Sequence, residues 1–348
     1  MNGTTTTTSG RLTTGSPPSF DVVVPTVGRP SLTALLWLLT RTLPAESAVL
    51  VVDDRPRCTA PLALGVEDDR LHVVRSGGRG PAAARNVGWR STTAPWIAFV
   101  DDDVEPPVGW AQALLDDLVC SPPDVAAVQG QVQVPLPSGR RPSDWERNVA
   151  GLDGATWITA DMAVRRAALE DVDGFDERFS RAYREDTDLA LRLLDAGWRL
   201  TLGRRRVSHP VRPAPWWVSV RLQRGNGDDV LLERLHGRGW RRRLDVAPGA
   251  LSSYPATTAL GVVALAALAA GHRRAAAVAA AAWAARTVRF AWQRAVPGPH
   301  SVDELAAVFA TSVAIPPVAC YHRLRGSLRW RAVVPHAPRS RRPIPCDA

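Results

Sequence analysis

A chain of 348 residues and 37.6 kDa, 45% apolar and 22% charged, has enough apolar material for one or two packed domains, which excludes general disorder. Its 29 prolines and 26 glycines follow no Gly-X-Y period and no internal repeat is present, so collagen-like and solenoid architectures are excluded too. The net charge of +9 is carried by arginine alone and unevenly: from Arg234 onward 17 arginines face only Asp245, Asp303, Glu304 and Asp347, a balance of +13, while the rest of the chain carries −4. That basic tail also holds the longest apolar runs, which favours an anionic membrane surface over a nucleic-acid groove.

In chain order, Met1 to Phe20 is a Thr/Ser/Gly run that reads as a disordered leader, neither a signal peptide nor a buried element. Asp21 to Pro25 is a β-branched strand closed by the turn-rich Thr26 to Pro30. Ser31 caps a helix to about Leu43, with Leu32, Leu35, Leu36 and Leu39 at helical spacing and Pro44 ending it. Further strands are expected at Ala48 to Asp54, Leu71 to Arg75 and Trp96 to Val100, with a helix from Pro81 to Arg90 before the last of them. Valine-rich strands separated by helices indicate a doubly wound α/β domain with a mainly parallel sheet. The four cysteines, Cys58, Cys120, Cys320 and Cys346, are too dispersed for a metal knuckle or a disulfide framework and fit a reducing cytosolic setting.

The strand ends carry the chemical signal. Thr26 follows the first strand, Asp53-Asp54 the second and Asp101-Asp102-Asp103 the fourth. Open α/β sheets bind ligands outside the carboxyl ends of their strands, so these residues are expected in one crevice. Three like charges at one strand tip repel unless a cation or solvent compensates, and hard cations such as Mg²⁺ or Mn²⁺ prefer carboxylate and phosphate oxygens. A metal there suits a nucleotide-diphosphate donor. Neither GxxxxGK[ST] nor GxGxxG follows the first strand, and Gly77 to Gly80 reads equally as a phosphate approach or a flexible connection.

The runs VVVPTVGRPSL, VLVVDD and GGRGPAAARNVGWRSTTAPWIAFVDDDVEPPVGW resemble the nucleotide-binding half of family-2 glycosyltransferases of the GT-A fold. TADMAVRRAAL and GFDERFSRAYREDTDLALRLLDAGWRL resemble the acceptor half, so the likeness spans roughly Asp21 to Arg212. It implies an inverting, metal-dependent transferase that uses a nucleotide-diphosphate sugar donor. It also implies Asp53 at the base or ribose, with Thr26 and Arg29 shaping that pocket, and Arg85 at the base or diphosphate. Asp101 and Asp103 form the DxD element, Asp103 contacting the metal and Asp101 the ribose or metal, while Asp102 is an added carboxylate of open role. Glu185-Asp186 matches the family's acidic pair, with Asp186 the usual base. Asp161 departs from the pattern, an asparagine being common there.

The residues themselves allow the same role for Glu185 and Asp186, because the apolar stripe Leu189, Ala190, Leu193, Leu194 places them at a helix N-terminus, where the dipole favours ionisation; acids are also ordinary at a helix start. His209 is a candidate metal ligand or a loop residue. Arg204 to Arg206 meet a diphosphate or form a solvated face. Trp216-Trp217 stack on a sugar, anchor at a membrane or pack in the core.

Tyr254 to Gly271 is uncharged over 18 residues, but alanine-rich; Ala275 to Ala285 is short, and Leu305 to Tyr321 holds Pro316-Pro317. Helices lying in the cytoplasmic leaflet are expected rather than a full span, the alternative being a soluble subdomain packed on the body. The expected organisation is a leader at 1–20, a nucleotide-sugar half at 21–135, an acceptor half at 136–245, an apolar helical segment at 246–325 and a basic tail at 326–348. The expected activity is sugar transfer to a carbohydrate, lipid-linked or small-molecule hydroxyl at the cytoplasmic face of a membrane or in the cytoplasm, with no nucleic-acid partner. The alternatives are a sugar nucleotidyltransferase and a non-catalytic arginine-rich membrane or nucleic-acid adaptor on a degenerate transferase fold.

Overall fold

The computed structural model describes residues 18–57, 60–246 and 253–336. Cys58, Cys346, most of the expected leader and the end of the basic tail lie outside the described residues; Cys120 and Cys320 are free thiols. The first half alternates β1 (Phe20–Thr26), α1 (Ser31–Thr42), β2 (Val49–Asp53), β3 (Leu71–Arg75), α2 (Pro81–Arg90), β4 (Trp96–Val100) and α3 (Trp110–Val119). Phe20, expected in the leader, instead opens β1 and is fully buried, because its ring lies in the apolar layer with Val22 and Val24.

There follow β5 (Val125–Gln133), α4 (Asp144–Ala150), β6 (Asp161–Arg165), α5 (Arg166–Val172), α6 (Glu185–Asp195) and β7 (Arg199–Ser208). All seven strands form one sheet in the order β3-β2-β1-β4-β6-β5-β7. The β1–β2, β1–β4, β2–β3 and β5–β7 pairs are parallel, and β6 runs antiparallel to β4 and β5. The sheet is therefore mainly parallel, with helices on both faces.

One face packs Leu32, Leu36 and Leu39 of α1 and Trp110 and Leu114 of α3 on Val22, Val24 and Val51. Each of those leucines contributes roughly 1.5–3 kcal/mol of burial. The other face seats α2, α5 and α6 through Ala82, Ala84, Leu169, Leu189 and Leu193. Small residues let α2 lie close to the sheet: a Cβ on Gly88 would stand 2.3 Å from Val23 Cγ1. That closeness brings Arg85, on the same helix, over the carboxyl end of β4.

The chain then forms α7 (Val218–Arg221), a short 3₁₀ turn, α8 (Gly225–His236), α9 (Trp240–Arg243), α10 (Tyr254–Ala269), α11 (Arg273–Ala295) and α12 (Val302–Arg329). Phe179, Leu191, Leu231, Leu232 and Trp240 make a third apolar cluster between α6 and α8. α12 packs against α8 and α11; Arg294 of α11 ties the layer to the body through Asp144 Oδ2 at 2.6 Å and joins α11 to α12 through Ser312 Oγ at 2.7 Å. Pro316-Pro317 does not break α12, which continues through both. It is long and apolar enough to cross a membrane, with a mean hydropathy of 1.4 over its best 18 residues, a third of that window being buried.

Candidate active site

The parallel strands β1, β2 and β4 bring Thr26, Asp53 and Asp101 to Asp103 to one edge of the sheet, with Thr26 in register with Asp53. Asp54 builds the wall beside them: its carboxylate accepts from Ser76 Oγ at 2.6 Å and from the Gly80 amide at 2.9 Å. Gly80 has φ +99°, and a Cβ there would stand 2.3 Å from the Ser180 carbonyl oxygen, so only glycine lets this loop pass so close. The Gly77 to Gly80 stretch is thus pinned to the protein and launches α2.

Each of the three consecutive aspartates faces its own arginine. Asp101 accepts from Arg85 at 2.8 Å, Asp102 pairs with Arg29, and Asp103 lies 2.7 Å from Arg212. The repulsion read from the sequence is therefore relieved by guanidinium groups from three segments. Asp102 is buried, accepts from Thr26 Oγ1 at 2.5 Å, and is pushed upward by burial against the pull of Thr26 and Arg29. Asp53 is also buried and is held below the usual carboxylate range by the two-pronged Arg55 guanidinium, both contacts at 2.8 Å.

Arg85 joins the two acidic groups. Its guanidinium is buried and donates to Asp101 Oδ1 at 2.8 Å and to Glu185 Oε1 at 2.9 Å. Burial works against its charge, but Asp101 and Glu185 hold it above its ordinary value. Glu185 is pushed up to about 8, chiefly by burial and by Asp186, with Arg85 opposing. Asp186 is also raised by burial, against Arg85 and the Thr187 amide, which it accepts at 2.6 Å. Both open α6 directly after Arg184, whose φ of +78° turns the chain into the helix.

His209 Nε2 lies 3.6 Å from Asp103 Oδ1, and its Nδ1 is buried without a hydrogen-bond partner. The Nε2 atom and the Asp103 carboxylate are donors of the kind a divalent cation such as Mn²⁺ can take, while the partnerless Nδ1 is the ring's other nitrogen.

Other sequence candidates lie elsewhere. Arg205 is not at the crevice but in the core, where it pairs with Asp161 at 2.9 Å and Asp117 at 3.0 Å; Arg204 and Arg206 point to solvent on the same strand. That ion pair accounts for Asp161, whose carboxylate is fully buried inside the protein. Trp216 and Trp217 are exposed, which removes the core reading for them. Asp228 and Asp229 pair with Arg181 and Arg184. Sequence reading did not pick out Arg55 and Arg212, and no local pattern marks either.

A sheet of this order, with an acidic crevice at the ends of β1 and β4, defines a GT-A-like α/β domain. The family model described as Glycosyl transferase family 2 matches residues 21–173. A pre-mycofactocin glycosyltransferase from Mycobacterium tuberculosis is 35% identical over 170 residues, covering 44% of this chain and 35% of the relative. The match thus spans about a third of the length of the curated relatives. Among solved structures, residues 1–349 of S. aureus TarS align at a TM-score of 0.43 and 16% identity over 88% of this chain and 91% of that one. Glucosyl-3-phosphoglycerate synthase from Mycobacterium tuberculosis, in complex with Mn²⁺, UDP and glucosyl-3-phosphoglycerate, aligns at 0.42 and 14% over 67% of this chain and 82% of that one. The family match ends short of Glu185 and Asp186, so the roles of that pair rest on their geometry.

Proposed function

We propose that the protein is an inverting, metal-dependent glycosyltransferase that moves a sugar from a nucleotide-diphosphate sugar to an acceptor hydroxyl. The observation that carries this reading is Arg85, buried between Asp101 at the donor strand end and Glu185 at the start of α6. One guanidinium couples the donor crevice to the acidic pair, as a transferase needs when one substrate must meet the other in line.

Asp53 and Thr26, with Arg29, form the nucleoside end of the crevice, and Asp101 and Asp102 lie toward the ribose and diphosphate. Asp103, His209 and Asp101 would hold the cation. When bound, it neutralises charge on the departing diphosphate. Asp186 accepts the proton of the acceptor hydroxyl as that oxygen attacks the anomeric carbon; the bond to the diphosphate breaks, and its electron pair leaves with the nucleotide. Glu185 is held by Arg85 through Oε1 at 2.9 Å, which leaves Asp186 as the base in this reading. A single displacement inverts the anomeric centre.

The exposed apolar residues Val262, Leu265 and Leu268 of α10 and Val278 and Trp292 of α11, with the arginines around them, support a peripheral seat on the cytoplasmic face of a membrane, in keeping with an acceptor that is lipid-linked.

The test is a panel of uridine, guanosine and thymidine diphosphates and their sugars, with and without Mn²⁺, read by thermal shift and by donor hydrolysis. Metal-dependent stabilisation by one nucleotide, with release of the nucleoside diphosphate, is expected. Release of pyrophosphate from a triphosphate would point to a nucleotidyltransferase, and absence of any turnover to an adaptor.

A further inference from the structure

Away from the crevice, three metal-ligating side chains from distant parts of the chain converge. Asp188 lies in the first turn of α6, His236 ends α8, and His336 follows α12; their ligand atoms all lie within 4.8 Å of one another. His236 Nε2 is 2.8 Å and His336 Nε2 3.6 Å from the same oxygen, Asp188 Oδ1. The other carboxylate oxygen is turned away, taken by Arg192 Nε at 2.8 Å. Asp188 and His236 are fully buried, and the Nε2 atom of His336 is buried with no hydrogen-bond partner.

We propose that Asp188, His236 and His336 form a Zn²⁺ site that fastens the segment after α12 to the helix carrying Glu185 and Asp186. Two imidazoles and a carboxylate are a donor set that zinc takes readily. Bond lengths of about 2.0–2.2 Å place tetrahedral ligand atoms roughly 3.3–3.6 Å apart, so side-chain adjustments of about an ångström close the site. The 2.8 Å contact opens slightly and the orphaned His336 nitrogen gains a partner.

The surroundings fit this use. His236 Nδ1 points toward Asp195 Oδ2 at 3.9 Å, the carboxylate position that commonly orients a ligating imidazole. Arg192 opposes a cation, but it is already neutralised by Asp188, and Asp195, although shared with Arg243, supplies a second negative group. His336, Arg192 and Asp195 line a cavity of about 590 Å³, which leaves room for a water as fourth ligand. The site uses none of the donor-crevice residues, so it stands apart from the metal required by the proposed transfer.

The experiment is equilibrium dialysis of the EDTA-stripped full chain against low-micromolar Zn²⁺, with metal analysis, on wild type, Asp103→Ala, His336→Ala and His236→Gln. One tightly held Zn²⁺ per chain is expected in wild type and in Asp103→Ala, with affinity lowered at least about tenfold in both histidine variants. His336 is partly exposed, so its alanine variant should fold, which circular dichroism checks. Co²⁺ substitution of the wild type is expected to give the intense visible bands of a tetrahedral site, a readout that needs no variant. Equal Zn²⁺ affinity in wild type and His336→Ala, or no Zn²⁺ retained by wild type, would overturn the proposal. Loss of Zn²⁺ in Asp103→Ala alone would overturn it as well, by moving the ion to the donor crevice.

Discussion

Replacing Arg85 by methionine keeps most of the side-chain volume and removes the one charge shared by Asp101 and Glu185. Both contacts are short, 2.8 and 2.9 Å, and Arg85 and Glu185 are almost completely buried. Removing one member of such a pair costs about 3–5 kcal/mol, because the survivor is left charged and unpaired. Glu185 modifies that figure. Its titration is pushed up to about 8 with Arg85 opposing, so without Arg85 it is raised further and the carboxyl avoids the unpaired charge by holding its proton; at pH 9, where the wild-type group is ionised, the loss includes taking up that proton. The expected loss is therefore about 3 kcal/mol at pH 7 and nearer 5 kcal/mol at pH 9. Urea unfolding followed by the fluorescence of the 13 tryptophans measures it at both pH values. In a double-mutant cycle, Glu185→Gln should cost at least about 1 kcal/mol less in the Arg85→Met background than in wild type. Additive energies, or equal losses at the two pH values, would refute the coupling of these groups.

Four further outcomes are expected. Asp103→Ala abolishes Mn²⁺-dependent nucleotide binding and sugar transfer; full activity in the presence of a chelator contradicts the assignment. Asp186→Asn leaves nucleotide affinity near normal and lowers transfer by roughly a hundredfold or more, while Glu185→Gln is milder; equal rates in Asp186→Asn and wild type return the pair to a role in starting α6. The stability contributed by Glu185 is fully present below the unfolded value near 4.5 and lost as pH rises through about 8, which unfolding across that range checks. The full chain co-sediments with anionic vesicles, and Leu265→Asp with Leu268→Asp weakens this without changing donor hydrolysis; undiminished sedimentation removes the α10 face from the interface.

The first half was legible because a strand buried on both faces is a continuous valine run and a parallel topology needs a helix between strands. β3, α2 and β4 fall where the residues place them, and β1, α1 and β2 differ by a residue or two at their ends. β7 was harder to read: RLTLGRRRVS alternates exposed arginines with buried positions, and the burial of Arg205 depends on Asp117 and Asp161 far away in sequence. The acidic clusters were visible, but their neutralisation was not, since Arg29, Arg85 and Arg212 reach the three aspartates from separate segments. Pro316-Pro317 read as an interruption because each proline removes an amide donor. Packing on α8 and α11 carries the helix through them.

The arginine partners also order events in the crevice. In the proposed transfer, a cation on Asp103 would displace Arg212, whose side chain is 49% exposed and would regain water when released. Displacing Arg29 from Asp102 would strip a buried carboxylate, and displacing Arg85 would strip two at once. Of the three pairs, the one at Asp103 is therefore the least costly to open, and it is the one beside His209 Nε2. Together the three pairs neutralise the three aspartates at the strand end. Arg29 and Arg85 hold the crevice in shape, while in the proposed transfer Arg212 would be the replaceable charge, free to turn from Asp103 toward a diphosphate.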